Sequence, residues 1–275
     1  MLFVSTSGAL GRYIDMPVPI IICSRAIIAA VIIFLFCRYN GFELKIHNRD
    51  RKIIALSGLL LGLHWLTYFY ALKLSNVAIG MISLFTYPVI TTFLEPLLLK
   101  TKLRWIHLVL GVIVIVGILF LVPDFSFQND YLIAIIFGIV SALFYSLRNI
   151  LTKSKMKEYD SSVLMLYQLI ITSIFLAPSY FLFDTNNFSD QISWIILLAL
   201  LTTAIGHTWF VHSFKNFTVT SASIISSLQP VYGIIIGVIF LKEYPNVSTI
   251  IGGSLILCSV LIESIVSYKE SVVER

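Results

Sequence analysis

The sequence predicts an all-α integral membrane protein whose ten transmembrane helices form two inverted five-helix repeats. Three observations predict it: an apolar composition, ten apolar runs set off by charged or turn residues, and a loose internal repeat with an odd number of helices. Of 275 residues, 58% are hydrophobic and 12% charged, with a mean hydropathy of +0.95, whereas about a quarter of a soluble domain is charged. A span takes about 20 mostly apolar residues, so the chain has room for roughly nine to eleven spans and almost nothing outside the bilayer. This excludes a nucleotide-binding domain, a receptor ectodomain and a single-pass anchored enzyme. The net charge of +5 belongs to loops and points to topology rather than nucleic acid. Cys23, Cys37 and Cys258 lie in apolar runs without CxxC or CxxH spacing. They suggest neither a disulfide framework nor a metal site and read as small buried hydrophobes.

The apolar runs are Met1–Tyr13, Val18–Cys37, Ile53–Leu72, Val77–Leu99, Ile106–Val122, Tyr131–Leu151, Val163–Phe183, Ile192–Ser213, Val219–Leu241 and Ser248–Ser267. With both termini cytoplasmic, the inner loops hold Arg38, Lys45, Arg49, Arg51, Lys52, Lys100, Lys102, Arg104, Lys153, Lys155, Lys157, Lys215, Lys269 and Arg275. The outer loops hold only Arg12, Lys73 and Lys242. The positive-inside rule selects this orientation. The first run is the misfit, because thirteen helical residues rise about 20 Å against a core of about 30 Å. It lacks a basic leader region and a cleavage site, and the reading adopted is a helix truncated because the chain begins downstream of its natural start.

Sliding the chain by 142 residues pairs Lys73 with Lys215, Val77 with Val219, Ile82 with Ile224, Pro88 with Pro230, Val89 with Val231, Leu99 with Leu241, Lys100 with Lys242 and Gly111 with Gly253. Five helices per repeat is odd, so the halves, 1–125 and 126–275, must be oppositely oriented. Inverted repeats are a transporter architecture, with the substrate site near the midplane and access alternating between the two sides.

These residues resemble those of the EamA type within the drug/metabolite transporter superfamily. Ser5-Thr6-Ser7-Gly8-Ala9-Leu10-Gly11-Arg12 looks like that family's first-helix motif, and Ser24-Arg25-Ala26 like the arginine of its second helix. Tyr87-Pro88-Val89 and Gln229-Pro230-Val231 look like its paired proline motifs, and Glu243 like the glutamate closing each copy. Thr101 replaces that glutamate in the first copy, with Glu95-Pro96 nearby, and Ala26 stands where an aromatic is common. The resemblance implies export or exchange of amino acids, related metabolites or drugs, in a bacterial inner membrane.

Polar side chains within spans are costly and normally face a cavity or a partner. His64, Trp65 and Tyr68 share a face of the third helix, either lining a cavity or packing as an aromatic cluster. Tyr145, Arg148, Asn149 and Thr152 form a stripe on the sixth, where Arg148 either serves a pathway or snorkels to the basic loop. Arg25 reads as paired with a helix end or carbonyls near the outer surface. Pro88 and Pro230, inside their spans, free the carbonyls of Leu84 and Ser226. They are candidate hinges, and Tyr87, Gln229, Ser226 and Ser227 become candidate contacts. His207 and Trp209 on the eighth helix, and Tyr167 and Gln168 on the seventh, join the candidates. The substrate-binding set is His64, Trp65, Tyr68, Tyr87, Tyr145, Arg148, Gln168, His207 and Gln229; no catalytic residue, metal or cofactor is assigned.

Glu95 and Glu263 are the carboxylates placed within spans, and neither sits in the first helix of a repeat. Coupling by proton or counter-substrate stays open, and His64 or His207 could carry a proton. The expected partners are a small-molecule substrate and the lipid bilayer. Gly58…Gly62 and Gly233…Gly237 have GxxxG spacing, read as packing inside one monomer or as a homodimer face. A nucleotide-sugar or organophosphate exchanger is the competing reading, and it needs two cations, Arg148 and Arg25, inward at one depth. A lipid-acting membrane enzyme or a scaffold completes the alternatives, without a nucleophile, metal cluster or carboxylate pair to support the former.

Overall fold

A computed structural model describes residues 2–99, 105–121, 129–217, 219, 222 and 226–273, which hold helices and no strand. The helices are α1 (Leu2–Tyr13), α2 (Val18–Tyr39), α3 (Arg51–Leu74), α4 in two pieces (Val77–Leu84 and Tyr87–Leu99) and α5 (Trp105–Leu121). They continue as α6 (Asp130–Lys155), α7 (Ser161–Leu176, extended by Ser179–Leu182), α8 (Phe188–Leu198, Ala199–His207 and Thr208–Ser213), α9 (Gln229–Ile236 and Gly237–Leu241) and α10 (Val247–Val273). Six described helices are long and apolar enough to cross a membrane, and three shorter apolar ones accompany them. With α1 these make the ten apolar helices of an all-α, multi-pass membrane protein. The loop around Thr101, the expected boundary at residues 125 and 126, and the side chains of Ser227 and Glu263 lie outside the described residues.

Side chains such as Val31, Leu35, Val112 and Ile115 are exposed, as helices that face lipid require. The most extensive packing joins α3 to α6, α5 to α10, and α2 to α7. Both GxxxG pairs pack within the chain. A Cβ added at Gly58 would lie 2.8 Å from Ile171 Cβ of α7, and one at Gly233 would lie 2.0 Å from Met81 Sδ of α4.

The prolines interrupt helices rather than kink them, a departure from the continuous spans expected of the sequence. Pro88 cannot donate to the carbonyl of Leu84 and its ring crowds it; the first piece of α4 ends at Leu84, and Phe85-Thr86 turns into the second. Pro230 likewise stands in the first turn of α9, behind the 3-10 turn Ser226–Leu228. A missing N–H costs nothing at a helix start. The proline inside a helical piece is Pro96. The middle of α8 is a π-helix, Ala199–His207, a widened turn that sequence pattern does not announce.

The two ends of α3 fix the ends of the molecule. At its C-terminal end, Arg12 of α1 donates to the Lys73 carbonyl (2.7 Å) and pairs with Glu243 (3.0 Å). Glu243 in turn accepts from the Val77 backbone N–H (2.8 Å). At its N-terminal end, Asp50 meets Lys155 (2.7 Å) and Tyr159 (2.6 Å), and Arg49 meets Glu158 (2.7 Å). There Lys153 of α6 donates to the carbonyls of Phe214 and Phe217, and Lys215 pairs with Asp160 at 2.9 Å. Lys73 and Lys215, matched in the repeat, thus stand at opposite ends. The Arg49 guanidinium, and then the Lys155 ammonium, hold the Glu158 carboxyl below its ordinary range.

Candidate functional site

Seven of the nine candidate residues, His64, Trp65, Tyr68, Tyr87, Tyr145, His207 and Gln229, line one chamber together with Val4, Ser7, Met81, Leu84 and Phe85. They come from α1, α3, α4, α6, α8 and α9. The break in α4 supplies Leu84, Phe85 and Tyr87 from adjoining residues, because a helix interrupted there presents its turn to the interior. The chamber holds about 20 Å³, little more than the space of one water. This is a closed arrangement. A larger recess of about 440 Å³ opens between α2 and α8 toward the Asp50 end and includes Asp160, Thr208 and His212.

Tyr145 is the hub of the chamber wall. Its ring stacks on His64 at 4.3 Å between centroids and on Phe210 at 5.9 Å, and meets Tyr87 edge-on at 4.8 Å. Tyr87 is hydrogen-bonded to Ser226, across the gap between α4 and the approach to α9. Trp65 meets His207 edge-on at 5.4 Å. His64 both lines the chamber and is anchored. Ser141 Oγ donates to the His64 carbonyl (2.8 Å) and lies 2.8 Å from Nδ1. One hydroxyl has one proton, so Nδ1–H donates to Ser141 and Nε2 is left as the acceptor.

Arg148 and Gln168 do not reach the chamber wall. Gln168 Oε1 accepts from Arg148 Nε (2.9 Å) and Nη2 (2.5 Å), and its amide donates to Thr152 (2.9 Å) and Ser57 (3.1 Å). Arg148 Nη1 donates to Asn149 Oδ1 at 3.0 Å. The residue is fully buried, so snorkelling to the basic loop does not occur. Trp209 is mostly exposed, and Tyr167 donates to the Leu44 carbonyl at 2.8 Å, so neither joins the chamber.

Arg25 overturns the reading that placed it at a helix end. It has no exposed surface. Its Nε and Nη2 donate to the hydroxyls of Thr203 and Thr202 on the π-helical stretch of α8, at 2.7 to 3.1 Å. Its guanidinium carbon lies 4.1 Å from the centre of the Trp65 ring, within cation–π range. Thr202 and Thr203 were not singled out by the sequence, and their signal, a Thr pair beside Gly206 and His207, is weak without the fold. The two guanidiniums also have different partners: Arg25 lies against Trp65, whereas Arg148 is held by Gln168, whose amide reaches Ser57 of α3.

A bundle of membrane helices that gathers polar and aromatic side chains from both halves of the chain around one small interior chamber has the architecture of a membrane carrier. The chain belongs to the EamA-like transporter family, whose model matches residues 1–122 and 132–265. An uncharacterized transporter of Helicobacter pylori strain J99 is 27% identical over 86% of this chain and 82% of its own length. The pseudopaline exporter of Pseudomonas aeruginosa PAO1 is 22% identical, over 88% of this chain and 84% of its own. A solved crystal structure superposes with a TM-score of 0.72 at 16% identity, covering 98% of this chain and 94% of the other, a likeness of fold. The protein is a membrane transporter of this family.

Proposed function

We propose that the protein exports a small polar or amphipathic metabolite, such as an amino acid or related compound, by alternating access, with the Tyr145-centred chamber as its substrate site. The observation that carries this reading is the convergence of His64, Trp65, Tyr68, Tyr87, Tyr145, His207 and Gln229 on that one chamber. Polar groups buried in a membrane bundle are costly unless they serve a cavity or each other. The halves 1–125 and 126–275 rock against each other, and Pro88 and Pro230 mark the breaks at which α4 and α9 re-aim. The recess between α2 and α8 supports an approach from one end, since His207 belongs to the chamber and the adjoining Thr208 to the recess. The lysine and arginine bias supports a cytoplasmic Asp50 end with both termini on that side, and the family and compact loops support a bacterial inner membrane. The organophosphate reading requires two guanidiniums turned into the cavity, and Arg148 is instead engaged by Gln168, Asn149 and the Met165 sulfur off the chamber wall.

The test is metabolite profiling of medium and cytosol from cells making the chain, against cells making His64→Ala with Tyr145→Ala at equal membrane abundance. Solutes that accumulate in the medium only with the unmutated chain support export through the chamber. Equal profiles from both cell lines would sink the reading.

A further inference from the structure

We propose that the solute this chamber takes carries a carboxylate, and that Arg25 is the residue that holds it. The inference deepens the transport reading above and rests on its placing of the site. Two guanidiniums are buried completely beside the chamber, and neither takes part in any ion pair among the described residues. Guanidinium does not give up its proton in proteins, so two positive charges stand in the interior without a counter-charge there. A buried charge lacking an opposite partner is strongly unfavourable, and in a membrane interior such groups mark substrate pathways.

The two cations differ in how completely neutral groups satisfy them. Arg148 spends Nε, Nη1 and Nη2 on Gln168, Asn149 and the Met165 sulfur. Gln168 is itself held by Ser57 and Thr152, so this cation is fixed behind Tyr145. Arg25 spends Nε and Nη2 on Thr202 and Thr203, but its buried Nη1 has no hydrogen-bond partner among the described residues. His207, which meets the Trp65 ring edge-on, likewise carries a buried Nδ1 without a hydrogen-bond partner among the described residues. Two unsatisfied nitrogens thus belong to side chains that both touch Trp65, whose ring covers the guanidinium face in this closed arrangement.

The physical sequence that follows is simple. An arriving carboxylate displaces the Trp65 ring from the guanidinium and accepts from Nη1. Thr202 and Thr203 hold the fork in place, and His207 supplies a second polar contact. Arg148 adds positive potential through the Tyr145 wall, where low polarity lets charge act over distance. The aromatic rings of Tyr145, Tyr68 and Tyr87 take the body of the solute. No carboxylate of the described chamber wall competes for the guanidinium.

The experiment measures binding apart from transport. Purified protein in detergent is titrated with a panel of L-amino acids and small organic acids, and with the matching primary amides and decarboxylated amines. Tryptophan fluorescence and thermal shift are the readouts. The expected result is a saturable response to one or more carboxylates and a response at least about ten-fold weaker to the matching amides, the scale of a charge-assisted hydrogen bond. Arg25→Gln should abolish the preference, while Arg25→Lys, which keeps charge but loses the fork, should retain part of it. The unliganded thermal transitions of Arg25→Gln and Arg25→Lys, read in the same thermal-shift measurement, should stay cooperative and so show that these variants fold. Amides or amines that bind as well as their parent acids would overturn the proposal, as would a chamber that answers to none of the acids. In either case export of a neutral or cationic solute, seen in the cell profiles, would leave the transport reading standing.

Discussion

The two ends of the bundle are built from the same gesture and finished differently. At one end Arg12, closing α1, donates to the last carbonyls of α3 at Lys73. At the other Lys153, near the close of α6, donates to the carbonyl of Phe214 just past α8. Each cation reaches 61 residues along the chain, as expected of one motif repeated in two oppositely oriented copies. At the first end a carboxylate joins that same cation, since Glu243 binds Arg12 and caps the N-terminus of α4 through the Val77 amide, whereas the second end makes its described ion pairs with other cations, Lys215, Lys155 and Arg49. The comparison shows that a repeated fold can conserve a backbone contact while placing its ion pairs independently at each end. The Asp50 end does so with the exposed Arg49–Glu158 pair and the buried Asp50 on Lys155, which tie the α2–α3 connection to the α6–α7 turn.

The largest effect expected from breaking this comparison is on transport. In a chain lacking Cys23, Cys37 and Cys258, a short bifunctional thiol reagent across Arg12→Cys and Glu243→Cys should block export almost completely. The same reagent across Arg49→Cys and Glu158→Cys should do likewise, because the alternating-access cycle proposed above parts each end once. Continued export after linkage at either end would remove that end from the gating cycle. Next in size, Glu243→Ala should cost about 1–2 kcal/mol of stability, the scale of a lost cap with an ion pair; a smaller loss in detergent unfolding would make the cap ornamental. Lys153→Met removes donors without stranding a carboxylate, and about 1 kcal/mol is expected from the same unfolding measurement. Smallest is the exposed Arg49–Glu158 pair, whose double-mutant cycle should give a coupling below either of those losses, because water screens it.

That last pair also titrates. Glu158 is held below its ordinary range in the folded protein, so its contribution is complete above about pH 4.3 and is lost as pH falls through the lower folded value. Repeating the cycle at about pH 7 and about pH 3 should show the coupling present and then diminished. A coupling that grows on acidification would contradict the sign.

Apolar length, turn punctuation and loop charge are local properties, and they were enough to read the spans and the all-helical membrane class. The chamber was legible to the extent that rare polar and aromatic groups inside apolar runs have few other places to go, as His64, Tyr145 and His207 show. What escaped depends on partners far apart in sequence. A lone arginine in a helix looks the same whether it meets a helix end or, as Arg25 does, a threonine pair 178 residues away. The π-helical widening that delivers that pair leaves no periodic mark over nine residues. Gln168 reads as a chamber residue until its four hydrogen bonds to Arg148, Ser57 and Thr152 are seen to occupy it. The prolines showed where helices give way, but whether a span bends or breaks is decided by the packing around it.

The first piece of α4 is buried along its whole length, and glycines of four other helices press against it. Gly8 meets Met81, Gly138 meets Ser83, Gly233 meets Met81, and Gly253 meets Ile82. At Gly138 and Gly233 even a methyl group would sit 2.0 Å from its neighbour. A library of random variants selected only for growth on the exported compound should therefore be barest at these glycines and the side chains they touch, more so than at any charged residue. Mutational tolerance would trace a central axle whose main task is packing, touching the chamber only through Met81 and Leu84.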